Sequence, residues 1–190
     1  YAMIGMATVV GGYPLYYEAT NEKGLSMAGL NFPDNAHYHA YREGKDNVSP
    51  FEFIPYVLGK CKDIYEAEEL LNNISLVNIN FSEDLPLSPL HWIISDRQGS
   101  VTVESVKDGL RIYDNPYGVL TNNPPFPWHM MNMNNYMSLS EAYPENKLSE
   151  KHSFNPYSLG MGALGLPGDY SSASRFVRAV FVKEKSPCFE

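Results

Sequence analysis

The chain turns back on itself too often to be built from long helices. A short apolar run, 3–10, ends at Gly11-Gly12, and residues 15–19 follow. Asn21-Glu22-Lys23-Gly24 then makes a second turn into a small apolar run at 25–30. Runs this short, punctuated by glycine-bearing turns, predict antiparallel strands. The pattern recurs at 90–95, where Asp96-Arg97-Gln98-Gly99 turns into 100–104 with Val101 and Val103 alternating. Lys107-Asp108-Gly109 leads on to 110–113, so a second meander of hairpins is expected. Residues 119–122 are expected to add a further strand before the break at Pro124-Pro125.

Helices are predicted between and after these meanders. Ser49-Pro50-Phe51-Glu52 reads as a capping box with proline at the first helical position. Phe51, Ile54, Val57, Leu58 and Cys61 then recur at helical spacing. Asp63 caps a second helix with Glu66 three residues on, placing Ile64, Ala67, Leu70 and Leu71 on one face. Helices are also predicted at 128–137 and 172–184, the latter burying Phe176, Val177, Ala179 and Val180. Strand meanders with helices arriving in pairs predict an α+β fold with helical layers over sheet. At 190 residues the chain is expected to form a single domain.

Charge excludes some partners. The net charge is −8 and no lysine/arginine block exists, so neither nucleic acid nor a polybasic membrane anchor has an electrostatic footprint. No apolar run is long enough to span a bilayer. Cys61 and Cys188 match no zinc or redox spacing, so no disulfide scaffold is expected and a reducing, cytoplasmic compartment fits. No signal peptide is visible, and a start on Tyr1 rather than methionine is expected to reflect a lost upstream segment.

Several motifs invite chemistry and do not carry it. Gly160-x-Gly162-x-x-Gly165 matches a dinucleotide fingerprint by letter, but Pro167-Gly168-Asp169 follows instead of a helix. A glycine-rich loop passing close to other backbone is the better reading. His37 and His39 lie two apart with Asp34 near, and without a second cluster they read as solvated loop histidines rather than metal ligands. His91 begins a strand beside Trp92, while His129 and His152 are isolated. No G-x-S-x-G elbow exists, and Ser171-Ser172-x-Ser174 reads as a helix N-cap. Cys61 falls on an apolar helix stripe and Cys188 in a polar tail, neither a setting for an activated thiol. Three features stay odd: strands ending on Asn31 and near Asn122, and Arg175 in a first helical turn, where the helix dipole disfavours a cation.

Those segments resemble the choloylglycine hydrolase family, which contains bile salt hydrolases and penicillin V acylases. The resemblance rests on TNEKGLSMAGLNFP (20–33), NVSPFEFIPYVLGKC (47–61), LVNINFSEDLPLSPLHWIISD (76–96), DNPYGVLTNNP (114–124) and LGLPGDYSSASRFVRAVF (164–181). It implies the αββα four-layer sandwich of the N-terminal-nucleophile (Ntn) hydrolases, two antiparallel sheets between helical layers, incomplete in this chain. Residues 1–190 would be the central portion of such a domain, lacking its N-terminal nucleophile segment and its C-terminal segment. The implied activity is hydrolysis of the amide bond of glycine- or taurine-conjugated bile salts by an N-terminal cysteine, with this chain alone inactive. Penicillin V acylase, or a fragment that only binds ligand or is inert, is the alternative.

By the same resemblance Asn122 supplies a side-chain amide to the oxyanion hole, and Asn31 completes it with a backbone N–H. Arg175 would sit near the nucleophile and favour its thiolate. Penicillin V acylases tend to carry tyrosine at the place of Asn31, which tilts the substrate toward bile salts. Ile79, Phe81, Leu85 and Leu87 are candidates for the wall of a steroid pocket. No organic cofactor or metal is implied, and the full-length form is expected to be a homotetramer.

Overall fold

A computed structural model describes residues 1–186, so Cys188 lies outside the described residues. The chain divides into two compact units, Tyr1–Phe126 and Pro127–Glu190. The expected α+β character is present, with two sheets and four α-helices among the described residues.

In the first unit, β1 (Met3–Val10), β2 (Tyr13–Asn21) and β3 (Ser26–Asn31) form the first meander. β4 (Asp46–Val48) and β5 (Ile74–Leu76) flank α1 (Phe53–Lys60) and α2 (Ile64–Leu71). β6 (Leu90–Ser95), β7 (Ser100–Val106) and β8 (Gly109–Asp114) form the second meander. The two meanders join edge to edge through β3 and β6, giving one antiparallel sheet of order β1-β2-β3-β6-β7-β8. β4 and β5 pair in parallel, which the helical connection between them makes possible. The described residues therefore contribute one of the two antiparallel sheets that the resemblance implies, and the small second sheet is of the other kind.

α1 packs across β1, β2 and β3. Phe53, Val57 and Leu58 meet Met27, Trp92 and Ile94, all buried, and Trp92 lies edge-on to Phe53 at 4.9 Å. Burying each such side chain contributes about 1.5–3 kcal/mol. The opposite face of the sheet is different at its β1 end, where Ile4 is 80% and Met6 64% exposed. Toward β6 and β7 that same face is covered, and His91, Thr102 and Glu104 are buried.

The turn residue Asn21 is a buried hub. Its Nδ2 donates to the carbonyls of Leu58 (2.8 Å) and Cys61 (2.7 Å) at the end of α1. Its Oδ1 accepts from the backbone N–H of Lys23 (3.0 Å) and Leu25 (3.1 Å). All four bonding positions of the carboxamide are filled.

Two local expectations change and one holds. The Ser49 side chain makes no cap hydrogen bond, and Pro50–Glu52 is a 3-10 turn ahead of α1. At α2, Asp63 does cap by accepting from the Glu66 N–H at 3.0 Å. Glu66 reaches back one residue further than a standard box, to the Lys62 N–H at 2.9 Å. Residues 119–122 form no strand, because side chains take their backbone hydrogen bonds, as set out below.

The second unit holds α3 (Phe126–Met133) from Pro127 onward and α4 (Ser172–Lys185), joined by a long irregular stretch with 3-10 turns at Asn134–Tyr136 and Met161–Ala163. The buried stripe of α4 is Ser174, Phe176, Val177 and Val180, with Ala179 outside it. His129 of α3 stacks on Phe176 at 4.7 Å. At the start of α4, Ser171 caps Ser174 N–H (3.2 Å), and Asp169 accepts from the Ser171 N–H (2.8 Å) and Ser174 Oγ (2.6 Å). These bonds hold the Asp169 carboxyl far below the usual carboxylate range and put an anion where the helix dipole favours one.

The glycine-rich loop does pass close to other backbone. Gly162 accepts from the Ser140 N–H at 2.9 Å, and a Cβ on Gly162 would overlap the Ala142 carbonyl oxygen. Gly162→Ala is therefore expected to destabilise the protein by about 1–3 kcal/mol in denaturant melts. An unchanged midpoint would show that the 140–142 backbone yields without cost.

Candidate active site

Asn31 is the last residue of β3, facing Leu90 across the β3–β6 ladder. The next residue, Phe32, donates its N–H to the Pro89 carbonyl at 2.7 Å. Bonded and non-bonded pairs alternate in an antiparallel ladder, so the Asn31 N–H and C=O point away from β6. On that outer side the β2–β3 register has already ended at Glu18 and Ala28. Asn122 meets the strand end there: its Nδ2 donates to the Asn31 carbonyl at 2.8 Å, across 91 residues of sequence. Asn123 Nδ2 makes a parallel bond to the Pro33 carbonyl, also 2.8 Å.

Residues 115–126 owe their path to buried side chains. Asn115 Nδ2 donates to Thr102 Oγ1 (3.0 Å) and to the Val119 carbonyl (2.9 Å), and Asn115 Oδ1 accepts from Val119 N–H (3.4 Å). Ser100 Oγ holds the Asn115 carbonyl at 2.7 Å. His91 Nε2 lies 2.7 Å from the Thr121 carbonyl, and Glu104 accepts the Phe126 N–H at 2.9 Å. With its backbone groups satisfied by these partners, the segment gains nothing from strand pairing.

Beside Asn31 opens a cleft of about 430 Å³. Of the four predicted wall residues, Phe81, Leu85 and Leu87 line it, with Phe51, Leu90 and Trp92. Ile79 does not line it and is 53% exposed. Phe81 packs edge-on against Phe51 at 5.3 Å and lies 5.6 Å from the Tyr13 ring, which fixes the wall to β2. Tyr38 fixes the far end of the same loop: its hydroxyl donates to the Ser88 carbonyl (2.7 Å) and accepts from the Leu90 N–H (2.9 Å). Burial pushes the Tyr38 phenol up to about 12, so it stays a neutral donor. The cleft has the size and apolar lining of a small-molecule site with few polar groups.

Cys61 is no candidate nucleophile. It is buried, and burial, followed by the carboxylates of Glu66 and Asp63, pushes its thiol up to about 11. Both ring nitrogens of His39 are occupied, by the Val106 carbonyl and Arg42, each at 3.1 Å. Among the described residues, no group of three or more His, Cys, Asp or Glu gathers as a metal site. No helix among them is long and apolar enough to cross a membrane. Arg175 belongs to the second unit, half-buried in the first turn of α4, with Nε donating to the Tyr170 carbonyl at 3.2 Å.

The profile of the linear amide C–N hydrolases, choloylglycine hydrolase family, matches residues 1–189. The chain belongs to the choloylglycine hydrolase family. It is 56% identical over 186 residues to a bile salt hydrolase/transferase of Lactiplantibacillus plantarum, covering 98% of this chain and 57% of that protein. A bile salt hydrolase/transferase of Clostridium perfringens is 43% identical over 187 residues, covering 97% of this chain and 56% of the relative. The crystal structure of a mutant conjugated bile acid hydrolase from Clostridium perfringens superposes with a TM-score of 0.89 at 43% identity. That match covers 97% of this chain and 56% of the solved one. A penicillin V acylase from Agrobacterium tumefaciens shares the fold, with a TM-score of 0.66 at 24% identity over 89% of this chain and 45% of the other. The chain thus spans little more than half the length of these bile salt and conjugated bile acid hydrolases.

Proposed function

We propose that this chain carries the amide-recognising part of an enzyme that hydrolyses glycine- or taurine-conjugated bile salts, releasing free bile acid and the amino acid. In this reading the nucleophile is an N-terminal cysteine thiolate supplied by sequence outside these 190 residues. The thiolate attacks the amide carbonyl carbon, and the C=O electron pair moves onto oxygen. The Asn122 amide and the Asn31 backbone N–H donate to that oxyanion, and Arg175 favours the thiolate before attack. Collapse expels the amine, which takes a proton from the nucleophile's own α-amino group. Water then resolves the thioester to the bile acid. Phe81, Leu85 and Leu87 contact the steroid. The enzyme is cytoplasmic and assembles as a homotetramer.

The observation that carries this reading is the 2.8 Å bond from Asn122 to the Asn31 carbonyl at the edge of an apolar cleft. A carboxamide held by a hydrogen bond to strand backbone is oriented before any charge develops, which is what oxyanion stabilisation requires. The test is release of taurine from taurocholate, and of the side-chain acid from penicillin V, by protein expressed from its complete reading frame. Taurine release in clear preference is expected. A preference for penicillin V would overturn the substrate, and inactivity toward both would overturn the amidase reading.

A further inference from the structure

We propose that His91, backed by Glu104, is a positioning residue that sets Asn31 and Asn122 against each other. The inference rests on the amidase reading above and adds to it two residues outside the oxyanion-binding pair.

His91 and Glu104 face each other across β6 and β7, and both side chains are 0% exposed. His91 Nε2 lies 2.7 Å from the Thr121 carbonyl, which can only accept, so Nε2 carries a proton and donates. His91 Nδ1 lies 3.2 Å from Glu104 Oε1, on the other side of the ring. The same Oε1 accepts the Phe126 N–H at 2.9 Å. The pair thereby grips the chain at Thr121 and at Phe126, on both sides of Asn122. The flat face of the His91 ring meets Phe32, with centroids 4.3 Å apart and planes 7° from parallel. One imidazole thus touches the residue before Asn122 and the residue after Asn31.

Packing alone does not call for this arrangement. Glu104 Oε2 is buried and has no hydrogen-bond partner among the described residues, which carries a desolvation cost. Apolar side chains of similar volume commonly fill such a space at equal or better stability. What they could not do is hold the Thr121 carbonyl and the Phe126 N–H at once. The carboxamide must be placed to within a fraction of an ångström for an oxyanion, and a misplacement near 1 Å costs on the order of 100-fold in rate.

The test uses protein from the complete reading frame, taurocholate kinetics and amide hydrogen exchange. His91→Phe keeps the stack on Phe32 and removes the donor to Thr121. It is expected to lower kcat roughly ten- to hundred-fold with KM within about threefold. His91→Gln, whose amide N–H can reach the same carbonyl, is expected to recover much of that loss. In an Asn122→Ala background His91→Phe is expected to add little, because the group it positions is gone. Full multiplication of the two losses, or a kcat within threefold of wild type for His91→Phe, would overturn the proposal. Should His91→Phe fail to fold, Glu104→Gln is read by exchange, with faster exchange expected to be confined to 115–126. Exchange unchanged there, or raised evenly over the sheet, would overturn it. Exchange needs no turnover, so an enzyme inactive on both taurocholate and penicillin V sinks the amidase reading while this arm still decides the role of His91.

Discussion

Replacing Asn122 by alanine is expected to lower kcat on taurocholate about 10²–10³-fold, with little change in KM. The reason is differential. The ground-state carbonyl oxygen carries partial charge and gains little from a second donor, whereas the tetrahedral oxyanion carries a full charge in a site lined by apolar side chains. A lost donor is then felt in the transition state and hardly at all in substrate binding. The substitution also removes the 2.8 Å bond to the Asn31 carbonyl, a term of about 1 kcal/mol to stability. Asn123→Ala separates the two effects. It loses the equivalent bond to the Pro33 carbonyl, likewise 2.8 Å, on the neighbouring residue. Asn123→Ala is expected to lose a similar amount of stability and to retain activity within a few-fold. Equal activity losses from both substitutions would mean that Asn122 serves the loop and not the reaction.

The largest loss of stability is expected from Asn21→Ala. Two carbonyls, of Leu58 and Cys61, and two N–H groups, of Lys23 and Leu25, lose their buried partner together. Each unsatisfied buried group costs about 1–3 kcal/mol, and relaxation with water entry recovers part. A net loss of roughly 3–5 kcal/mol is expected, a large share of an ordinary domain's stability. Asn21→Asp keeps both acceptor bonds but sets a carboxylate oxygen against the Leu58 and Cys61 carbonyls, so its midpoint in urea should be at least as low as that of alanine at neutral pH and recover once acid protonates the carboxyl. A midpoint equal to wild type at neutral pH would mean that the contacts to the end of α1 contribute nothing.

Much of the strand framework was legible because its signals are local. Turn residues and alternation placed β6 at its observed limits, and β1 likewise, while Asp63 announced α2. What local signals missed was set by tertiary partners. Asn21 and Asn115 look like turn asparagines, one ahead of a glycine turn and one ahead of Pro116. Their burial arises from neighbours 37 to 40 residues away in one case and 13 in the other. Glu104 sits out of phase with Val101 and Val103, so alternation assigns it to solvent. The segment 115–126 covers that face and buries it. The predicted strand at 119–122 failed for the same cause, since Asn115 and His91 occupy the groups a ladder would use. For the candidate site, resemblance drew attention to Asn31 and Asn122, and periodicity could not have paired them. Leu85 and Leu87 reached the cleft and Ile79 did not, because the 77–88 loop has no period from which to read a face.

A contact that bridges 91 residues has a consequence for when this molecule can act. Local hairpins and helices form early, whereas pairing of β3 with β6 must await closure of the long excursion between them. Asn31 therefore emerges from the ribosome long before the group that will meet it, and a half-made chain holds neither cleft nor paired amides. Loss of that contact on heating should track loss of the whole sheet. Catalytic competence would then report on the integrity of the entire first unit and not on any single hairpin.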